Sequence, residues 1–500
     1  MTLSKGMVEA FTSLCLVAGL LACTTLANPA VAQTPEGADE APAAAEGVAT
    51  GPETEAAEAA PDAPPALVIP EYVARTADGE IVLTPESAAR WAAERNTRVR
   101  IQQQAIPQAE GQLQEARAGD ALRVNVSASA IRMGPVTTVT LPGPEDEEPM
   151  SFDVTPDQMW QATVSANKPL YTGGRVGLSE QMARAGIDAA EHGTDVARLS
   201  ISQGARGAVY GVLRSVQLSG VAAARVTAVA EHVRNAELME EAGIVPQFDV
   251  VQARTELSQA QEQLIMTQTA IEQARAQLRR ILALPQETPV NITEAPPAEM
   301  PEGLLPELID VARANRPEVT TAESALRIAE LNRRLAGRHL APTVALTGQY
   351  TRQTEAGLGG DSYSWQVGVV AEKPIFDGGV KRARITSAEA RVEEAELEVQ
   401  QAQEQVALEV VQAWLSVQEA RERIGTAQQG LVEARERRRM AQLRYREGLA
   451  PGIEVIDADT ALAAAEASLV NAEYDRQLAV TQLRTAMGIM EAPRQEGETE

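Results

Sequence analysis

One short motif, present twice, decides the fold of this chain. Residues 168–174 read Lys-Pro-Leu-Tyr-Thr-Gly-Gly, and residues 373–379 read Lys-Pro-Ile-Phe-Asp-Gly-Gly, 205 positions later. Proline has no backbone N–H group, so it fits the end of a β-strand, where no ladder donor is needed. Two glycines then permit a sharp change of chain direction. Each motif therefore predicts a turn from a strand into a helix, through Pro169, Gly173, Gly174, Pro374, Gly378 and Gly379.

The repetition extends well beyond this motif. Matching residues recur at the same shift of 205, in the pairs Gly243 and Gly448, Pro246 and Pro451, Val250 and Val455, Ala253 and Ala458, Thr255 and Thr460, and Leu257 and Leu462. One constant shift over so long a stretch is hard to produce by chance. The chain is therefore a tandem duplication, with repeats expected at 80–290 and 301–490. Each repeat opens with a helical stretch, which breaks near Asn96 in the first and at 315–317 in the second.

Each repeat also contains a very long helical segment. No proline lies between Gly174 and Gly243 or between Gly379 and Gly448, and a helix of that length spans roughly 105 Å. Small and apolar residues spaced three and four apart predict coiled-coil packing, at Val209, Val212, Val216, Ser219, Ala223, Val226, Ala230 and Val233. Each repeat is expected to run helix, strand pair, long helix and returning helix. A generic coiled-coil rod explains the helices equally well.

Alternating patterns predict two strand pairs. Apolar and polar residues alternate over 122–130 and again over 343–350, and the partner strands are expected at 159–168 and 363–373. Each strand has about ten residues, which is the length that a tilted strand needs to cross a bilayer. Aromatic residues near the strand ends fit an interfacial belt, namely Trp160, Tyr363 and Trp365.

Four strands are too few to close a membrane barrel, which needs about eight or more. An open sheet edge is not tolerated in lipid. The strands therefore belong either to a barrel built from several chains or to two soluble hairpins packed on the helices. The residues alone do not choose between these two arrangements.

The N-terminus is typical of an export signal. Lys5 precedes an apolar stretch at 11–22, and a small-x-small site ends at Ala32, which predicts a signal peptide at 1–32. Cys23 is an alternative lipoprotein processing site. Cleavage after Ala32 removes both cysteines, Cys15 and Cys23, which suits a mature protein in an oxidising compartment.

Two further segments lack the apolar residues that a folded core needs. Residues 33–66 are mostly Ala, Pro, Glu, Gly and Thr, with eight acids and no Lys or Arg. A disordered linker is therefore expected at 33–79, and a similar flexible tail at 491–500. The formal net charge of −26 argues against nucleic acid or an anionic membrane surface as a partner.

Taken in order, these duplicated elements resemble the TolC-type outer-membrane efflux proteins over roughly residues 80 to 490. The resemblance rests on the opening at 81–84 with a helix ending at 94–96, on the strand entrance at 341–346, and on the paired strand exits and Gly–Pro turns. It implies a mainly α fold with a small β part. Long antiparallel helical hairpins form a trimeric α-barrel, which is continued by a twelve-stranded trimeric β-barrel with four strands from each chain.

The resemblance also implies a function and partners. The chain is expected to be a passive exit channel of a tripartite efflux or type I secretion system, located in the outer membrane of a Gram-negative bacterium and extending into the periplasm. Its expected partners are two further copies of itself, a periplasmic adaptor (membrane fusion protein), an inner-membrane transporter and outer-membrane lipid. The alternative is a periplasmic coiled-coil adaptor or scaffold protein without a channel. The transported substrate does not follow from the sequence.

The same resemblance assigns the helical turns to a periplasmic tip that is both entrance gate and adaptor-docking surface, at Gly243, Pro246, Gly448 and Pro451. It implies a gate tyrosine at Tyr445 that bonds an acid such as Asp249 across neighbouring helices, and aperture carboxylates at Asp249, Glu454 and Asp457. Acids in the first turn of a helix are also favoured by the helix dipole alone. Ala450 stands where the family often has a basic residue, so no salt-bridge latch is expected there.

Catalytic and metal-binding motifs are absent from the sequence. The histidines are isolated from cysteine or histidine partners at ligand spacing, at His192, His232 and His339. Nucleophile elbows and HExxH motifs do not occur. The acid pair Asp457 and Asp459 is expected by chance in so acidic a chain. The sequence therefore predicts no enzyme, no cofactor and no metal site.

Overall fold

The computed structural model describes residues 70, 72–75, 80–135, 137–141, 150–153, 158–293, 300–355 and 360–489. The predicted signal peptide, the processing site at Cys23, the C-terminal tail and nearly all of the predicted linker lie outside these residues. Ordered structure begins before residue 79, where the linker was expected to end. Strand β1 forms at Ala74–Arg75, next to Val73, which is buried, and Tyr72, whose hydroxyl donates to a Glu94 carboxylate oxygen at 2.8 Å.

The helices follow the order expected for a duplicated chain. The first repeat contains α1 (Pro85–Arg95), α2 (Thr97–Gln103), α3 (Ala105–Arg117), α4 (Arg175–Glu241) and α5 (Gln247–Ile281), and the second contains α6 (Leu305–Asn315), α7 (Pro317–Gly337), α8 (Val380–Arg446) and α9 (Gly452–Ala486). The long helices α4 and α8 have 67 residues each, and the returning helices α5 and α9 have 35 each. Within the described part of the chain, no helix combines the length and the apolar character needed to cross a membrane.

Both predicted helix breaks are confirmed, and each break residue also holds the end of a returning helix. The Asn96 side chain caps α2, and its amide donates to the Ile281 carbonyl at 2.6 Å. In the second repeat the Arg316 guanidinium donates to the Thr485 carbonyl at 3.2 Å. Carbonyl groups at a helix end lack partners within the helix. The break in each repeat therefore ties the returning helix to the short helices.

The predicted coiled-coil stripe on α4 is confirmed at Val209, Val212 and Val233, which are buried. Between them Ala222 and Val229 are buried, and each stands one position before a predicted member of the stripe. The difference arises because α4 packs against α5 on one side and α9 on another. The buried surface of α4 is therefore set by more than one neighbouring helix.

The remaining strands, in chain order, are β2 (Ile81–Leu83), β3 (Arg123–Arg132), β4 (Thr138–Leu141), β5 (Met150–Asp153), β6 (Gln158–Tyr171), β7 (Val290–Ile292), β8 (Thr343–Glu355) and β9 (Gly360–Glu372). The main sheet has the order β3-β6-β8-β9 and is antiparallel throughout. Its central pair, β6 with β8, joins the two repeats. The predicted strand pairs are thus confirmed, and they form one sheet.

Pro169 lies inside β6, whereas the sequence pattern placed it at the strand end. Pairing of β6 with β3 stops at Asn167, while pairing with β8 continues to Tyr171 through an irregularity after Pro169. Beyond Asn167 the strand therefore has a neighbour on one side only. A proline without an N–H group is tolerated where one edge is open.

Each repeat has a hydrophobic core where its short helices pack on its long ones. The first core surrounds Trp91, which is fully buried and donates its indole N–H to the Leu282 carbonyl at 2.9 Å. The second core lies around Leu308, Val410 and Leu483. These cores fix the short helices against the middle of the long ones, away from the strands and from the helical turns.

Gly173 and Gly378 offer a matched test of the two strand exits. Both have positive φ, +68° and +63°, but a Cβ atom on Gly173 would clash with the Ala341 Cβ, whereas one on Gly378 would meet nothing within 4 Å. In either alanine variant the free energy of unfolding should fall by about 1–2 kcal/mol, because alanine is strained in a left-handed backbone conformation. We expect Gly173→Ala to lose at least about 1 kcal/mol more from overpacking. Thermal unfolding in detergent measures this difference, and equal losses would contradict the steric explanation.

Candidate functional site

The register of the main sheet sorts its residues onto two faces. Directly paired residues share a face, and successive residues along a strand alternate between faces. Val126 pairs with Val164, which pairs in turn with Tyr350. Tyr350 pairs with Trp365. One face of all four strands is therefore mostly apolar. Its charged members include Arg352 and Asp361, which form an ion pair near the strand-connecting loops. Its apolar members also include Val124, Ala128, Ala130, Trp160, Ala162, Ala166, Leu346, Tyr363, Val367 and Val369.

The opposite face is polar across the same four strands. Ser127 pairs with Thr163, and Thr163 pairs with Thr351, with the two threonine hydroxyls 3.2 Å apart. Gln366 donates its side-chain amide to that of Gln349 at 3.1 Å. The other members of this face between the strand ends are also small or polar, including Asn125, Ser129, Gln161, Ser165, Gln353, Ser362 and Ser364.

Aromatic side chains flank the apolar face at both ends. Near the strand-connecting loops, Trp160, Tyr363 and Trp365 are 62%, 73% and 71% exposed. Near the helices, Tyr171 and Phe376 are 52% and 87% exposed. Aromatic rings with a polar or polarisable edge favour the boundary between hydrocarbon and water. The two bands therefore mark the limits of an apolar zone.

The sheet is incomplete as a single chain. Strands β3 and β9 form its two edges, and every residue of β3 is exposed. In water, an apolar face between two open edges is a site of aggregation. In lipid, the unpaired backbone groups of the edges are not tolerated either. Four strands alone therefore leave both the apolar face and the two edges of this sheet uncovered.

At the far ends of the long helices, the two helical turns of the chain pack on each other. Gly243 and Gly448 adopt positive φ angles of +72° and +69°, which lets α4 and α8 reverse into α5 and α9. A buried cluster around Tyr445 and Val455 of the second hairpin contacts Met239 and Val245 of the first. The turns thus form one tip with an interface between two hairpins.

His232 of α4 lies at this interface. It is 7% exposed, and its ring centroid is 5.2 Å from that of Tyr445, with the planes at 55°. A Cβ atom on Gly452, the first residue of α9, would lie 3.5 Å from His232 Nε2 and 3.6 Å from Tyr445 Cε2. The two rings therefore fill the space between α4 and the start of α9.

Burial controls the protonation of both rings. Desolvation lowers the pKa of His232 from its ordinary value of 6.5, and the Asp459 and Asp249 carboxylates oppose that effect only partly. Desolvation, helped by the charge of Asp249, raises the pKa of Tyr445. The Tyr445 hydroxyl is buried without a hydrogen-bond partner in the described part of the chain. The expected bond between Tyr445 and Asp249 is therefore not formed within this single chain.

The structure separates the other expected gate residues from this pair of rings. Glu454 forms an ion pair with Arg444 at 3.1 Å across the second turn. This turn therefore has an ion pair although residue 450 is an alanine and not a basic residue. Asp457 is exposed on α9 and has no ion pair or hydrogen-bonded partner among the described residues. Its carboxylate is free to meet solvent or a neighbouring chain.

Two tip residues were missed by the sequence analysis. His232 was judged only as a possible metal ligand, although it lies between Val229 and Val233 on the buried face of α4. Asp459 was attributed to chance, yet it is 6% exposed and accepts a hydrogen bond from Arg438 at 2.5 Å. A lone polar residue among the buried positions of a coiled coil is the signal that could have found both.

Polar contacts also join the two hairpins above the tip. Asp475 of α9 lies 3.7 Å from Arg214 of α4 and 3.0 Å from Arg423 of α8. Arg225 of α4 donates to the Thr460 hydroxyl at 3.3 Å. No group of three or more metal-binding side chains occurs in the described ranges, and the acidic run 145–148 lies outside them.

Comparison with known proteins gives the same architecture. A chain of the channel protein CusC superposes with a TM-score of 0.68 at 20% identity, covering 81% of this chain and 92% of that one. The outer membrane protein VceC of Vibrio cholerae superposes with a TM-score of 0.63 at 21% identity, covering 81% and 96%. Both likenesses show that this chain shares the fold of those two proteins.

Sequence relatives and a family model agree with the fold. The cation efflux system protein CusC of Escherichia coli is 27% identical over 47% of this chain and 52% of its own length. The toluene efflux pump outer membrane protein TtgI of Pseudomonas putida is 28% identical over 53% and 57%. The chain thus spans about half the length of the curated relatives it matches. The model of the outer membrane efflux proteins matches residues 89–284 and 308–489, and the chain belongs to that family.

Proposed function

We propose that the protein is a passive outer-membrane exit channel, which carries substrates from an inner-membrane pump across the periplasm and the outer membrane. The observation that supports this function best is the main sheet, with one apolar face, one polar face and two open edges. The apolar face suits lipid and the polar face suits a water-filled lumen, which is the pattern of outer-membrane strands.

The assembly we propose is a homotrimer. Four strands from each of three chains make twelve, which is enough to close a barrel around a channel. Strand β9 of one chain would pair with β3 of the next and satisfy the open edges of both. The long helices of three chains would then continue the barrel into the periplasm as a tunnel of roughly 100 Å.

The alternative function is a periplasmic coiled-coil adaptor or scaffold without a channel. The long helices suit that alternative equally well. It provides no role, however, for a sheet whose apolar face is exposed and bounded by two aromatic bands. The channel therefore ranks above the scaffold.

The proposed partners are a periplasmic adaptor and an inner-membrane transporter. The adaptor would dock at the tip, where apolar side chains are exposed at equivalent positions of the two turns: Ile244 and Phe248 at 61% and 71%, Leu449 and Ile453 at 72% and 40%. Relatives of nearly equal identity are named for different cargoes, a cation in one and toluene in another. Cargo choice is therefore assigned to the pump and not to this chain.

The proposed gate is the tip, closed by contacts between the two hairpins and narrowed by acids. Threefold repetition would bring three copies of Asp457 and of Asp249 together in a confined lumen. Like charges in such a lumen favour cations. Opening would separate the second hairpin from the first and disrupt the packing of His232 against Tyr445.

Planar-bilayer conductance, together with the oligomer mass of the same detergent-purified sample, tests the channel directly. A trimer with small, cation-selective channels is expected.

The neighbouring residues Val126 and Ser127 test the assignment of the two faces, because they lie on opposite faces of β3. Val126→Arg places a charge on the lipid face, so membrane insertion should become less favourable by about 2–4 kcal/mol. Most of the protein should then fail to insert as a trimer. Ser127→Arg should insert and change only the conductance. Equal insertion of both variants would overturn the assignment of the faces.

Asp457 provides a test of the proposed aperture. Asp457→Ala should raise the single-channel conductance or weaken block by multivalent cations, because it removes three negative charges from the narrowest part of the lumen. The control is Asp310→Asn, an exposed acid on the short helix α6, which should change neither quantity. If Asp457→Ala also leaves both unchanged, Asp457 does not belong to the gate.

His232 predicts the direction of a pH dependence. Its pKa is lowered in the closed packing, so a His232 released by opening binds a proton more readily than the buried one. The closed tip therefore has its full stability above pH 6.5 and loses stability as the pH falls below that value. The groups that face His232 are the Asp249 and Asp459 carboxylates and the Tyr445 ring.

Single-channel recordings between about pH 7.5 and 5.5 measure this effect. The open fraction of the wild-type channel should rise several-fold on acidification. His232→Phe keeps an aromatic ring without a titrating group and should respond much less. A wild-type response retained in full by His232→Phe would assign the pH dependence to another residue.

A further inference from the structure

The lysines of this chain are concentrated in one place. The sequence contains four lysines among 44 basic residues. One of them, Lys5, belongs to the predicted signal peptide. The other three are Lys168, Lys373 and Lys381, and all three lie where the strands of the main sheet meet the long helices. Nowhere else in the sequence does a lysine occur, although arginines are found throughout the helices.

Two of these lysines continue the apolar face of the sheet. Lys168 pairs with Leu346, which pairs in turn with Val369, so Lys168 is on the same face as the valines and aromatic residues. Lys373 directly follows β9, two residues after Ala371 of that face. The duplication makes the two positions equivalent. The apolar face therefore ends, on the side of the helices, in a lysine from each repeat.

Exposed apolar side chains accompany each lysine. Leu170 and Tyr171 follow Lys168 and are 57% and 52% exposed. Ile375 and Phe376 follow Lys373 and are 91% and 87% exposed. A lysine beside exposed apolar groups is able to keep its aliphatic stem in hydrocarbon while its ammonium group reaches the polar boundary.

Among the residues that the structure describes, no acid forms an ion pair with these lysines. In the described part of the chain, the cation of every ion pair is an arginine or a histidine, and none is a lysine. Lys168 donates to the Asp120 backbone carbonyl at 2.6 Å, which leaves two of its three N–H donors. Lys373 is exposed. In a chain of net charge −26, uncompensated lysines at one level indicate an anion from outside the protein.

We propose that Lys168 and Lys373 bind the phosphate groups of glycerophospholipids in the membrane leaflet on the helix side of the sheet. This inference rests on the proposed insertion of the sheet in a membrane. Charge complementarity identifies the partner, because the phosphate is the anionic group found at the depth where the apolar face ends. The long helices α4 and α8 begin at the same level, and their N-terminal ends add a positive field there. Each chain would hold two headgroup contacts at equivalent places in its repeats.

Lipid selection in nanodiscs tests the proposal. The wild-type protein is reconstituted with equal amounts of phosphatidylcholine and phosphatidylglycerol, and the lipid retained around the protein is quantified. The expected result is a roughly two- to fivefold enrichment of phosphatidylglycerol that falls as salt rises to about 0.5 M. The double variant K168Q/K373Q should lose the enrichment, and K168R/K373R should keep it.

The control variant R421Q/R437Q removes the same charge from two arginines of α8 that have no ion pair among the described residues, and it should keep the enrichment. Equal enrichment in the wild type and in K168Q/K373Q would overturn the proposal, and so would enrichment in the wild type that does not depend on salt. If the wild type does not insert at all, the channel function fails. Insertion without enrichment rejects the lysine sites alone.

Discussion

The rest of the structure depends on the backbone hydrogen bonds at the edges of one small sheet. Strands β3 and β9 each leave one row of N–H and C=O groups unpaired, and neither water beside an apolar face nor lipid accepts such an edge. Closure by further copies of the chain resolves both problems at once. The proposed assembly of several copies thus originates in four strands, which lie at one end of the long helices.

The two repeats share the same order of helices and strands, whereas the residues at the tip differ between them. The central pair of the sheet joins β6 of one repeat to β8 of the other, and the strand exits, helix breaks and turns recur in both. The tip does not follow this symmetry. Tyr445 corresponds to Glu240 and His232 to Arg437 at the shift of 205, so only one hairpin contributes each ring. The interface between the hairpins is therefore made from two unlike surfaces.

The sequence predicted those features that depend on local chemistry. The strand exits, the helix breaks and the proline-free helices are encoded by glycine, proline and spacing, and the structure agrees with them except at Pro169, which lies inside β6. The features it did not predict depend on contacts between distant segments. The buried stripe of α4 moved by one residue because a second neighbour, α9, packs on it. The pairing of β6 with β8 and the burial of His232 and Asp459 have the same kind of origin, since each requires two parts of the chain that are far apart in sequence. The early start of ordered structure at Tyr72 and Val73 also came from packing and not from composition.

The length of α8 has a mechanical consequence. A helix of 67 residues extends roughly 100 Å, so it acts as a lever whose fixed point lies near the sheet. Tilting such a lever by only about 2° moves its far end by roughly 3.5 Å, on the scale of one side-chain contact. Large displacements at the tip therefore need almost no deformation of the sheet. Any such movement has to shift the contacts that α8 makes along its length with α9, among them the ion pairs of Arg423 with Asp475 and of Arg438 with Asp459. Those contacts therefore set the free-energy cost of moving the tip.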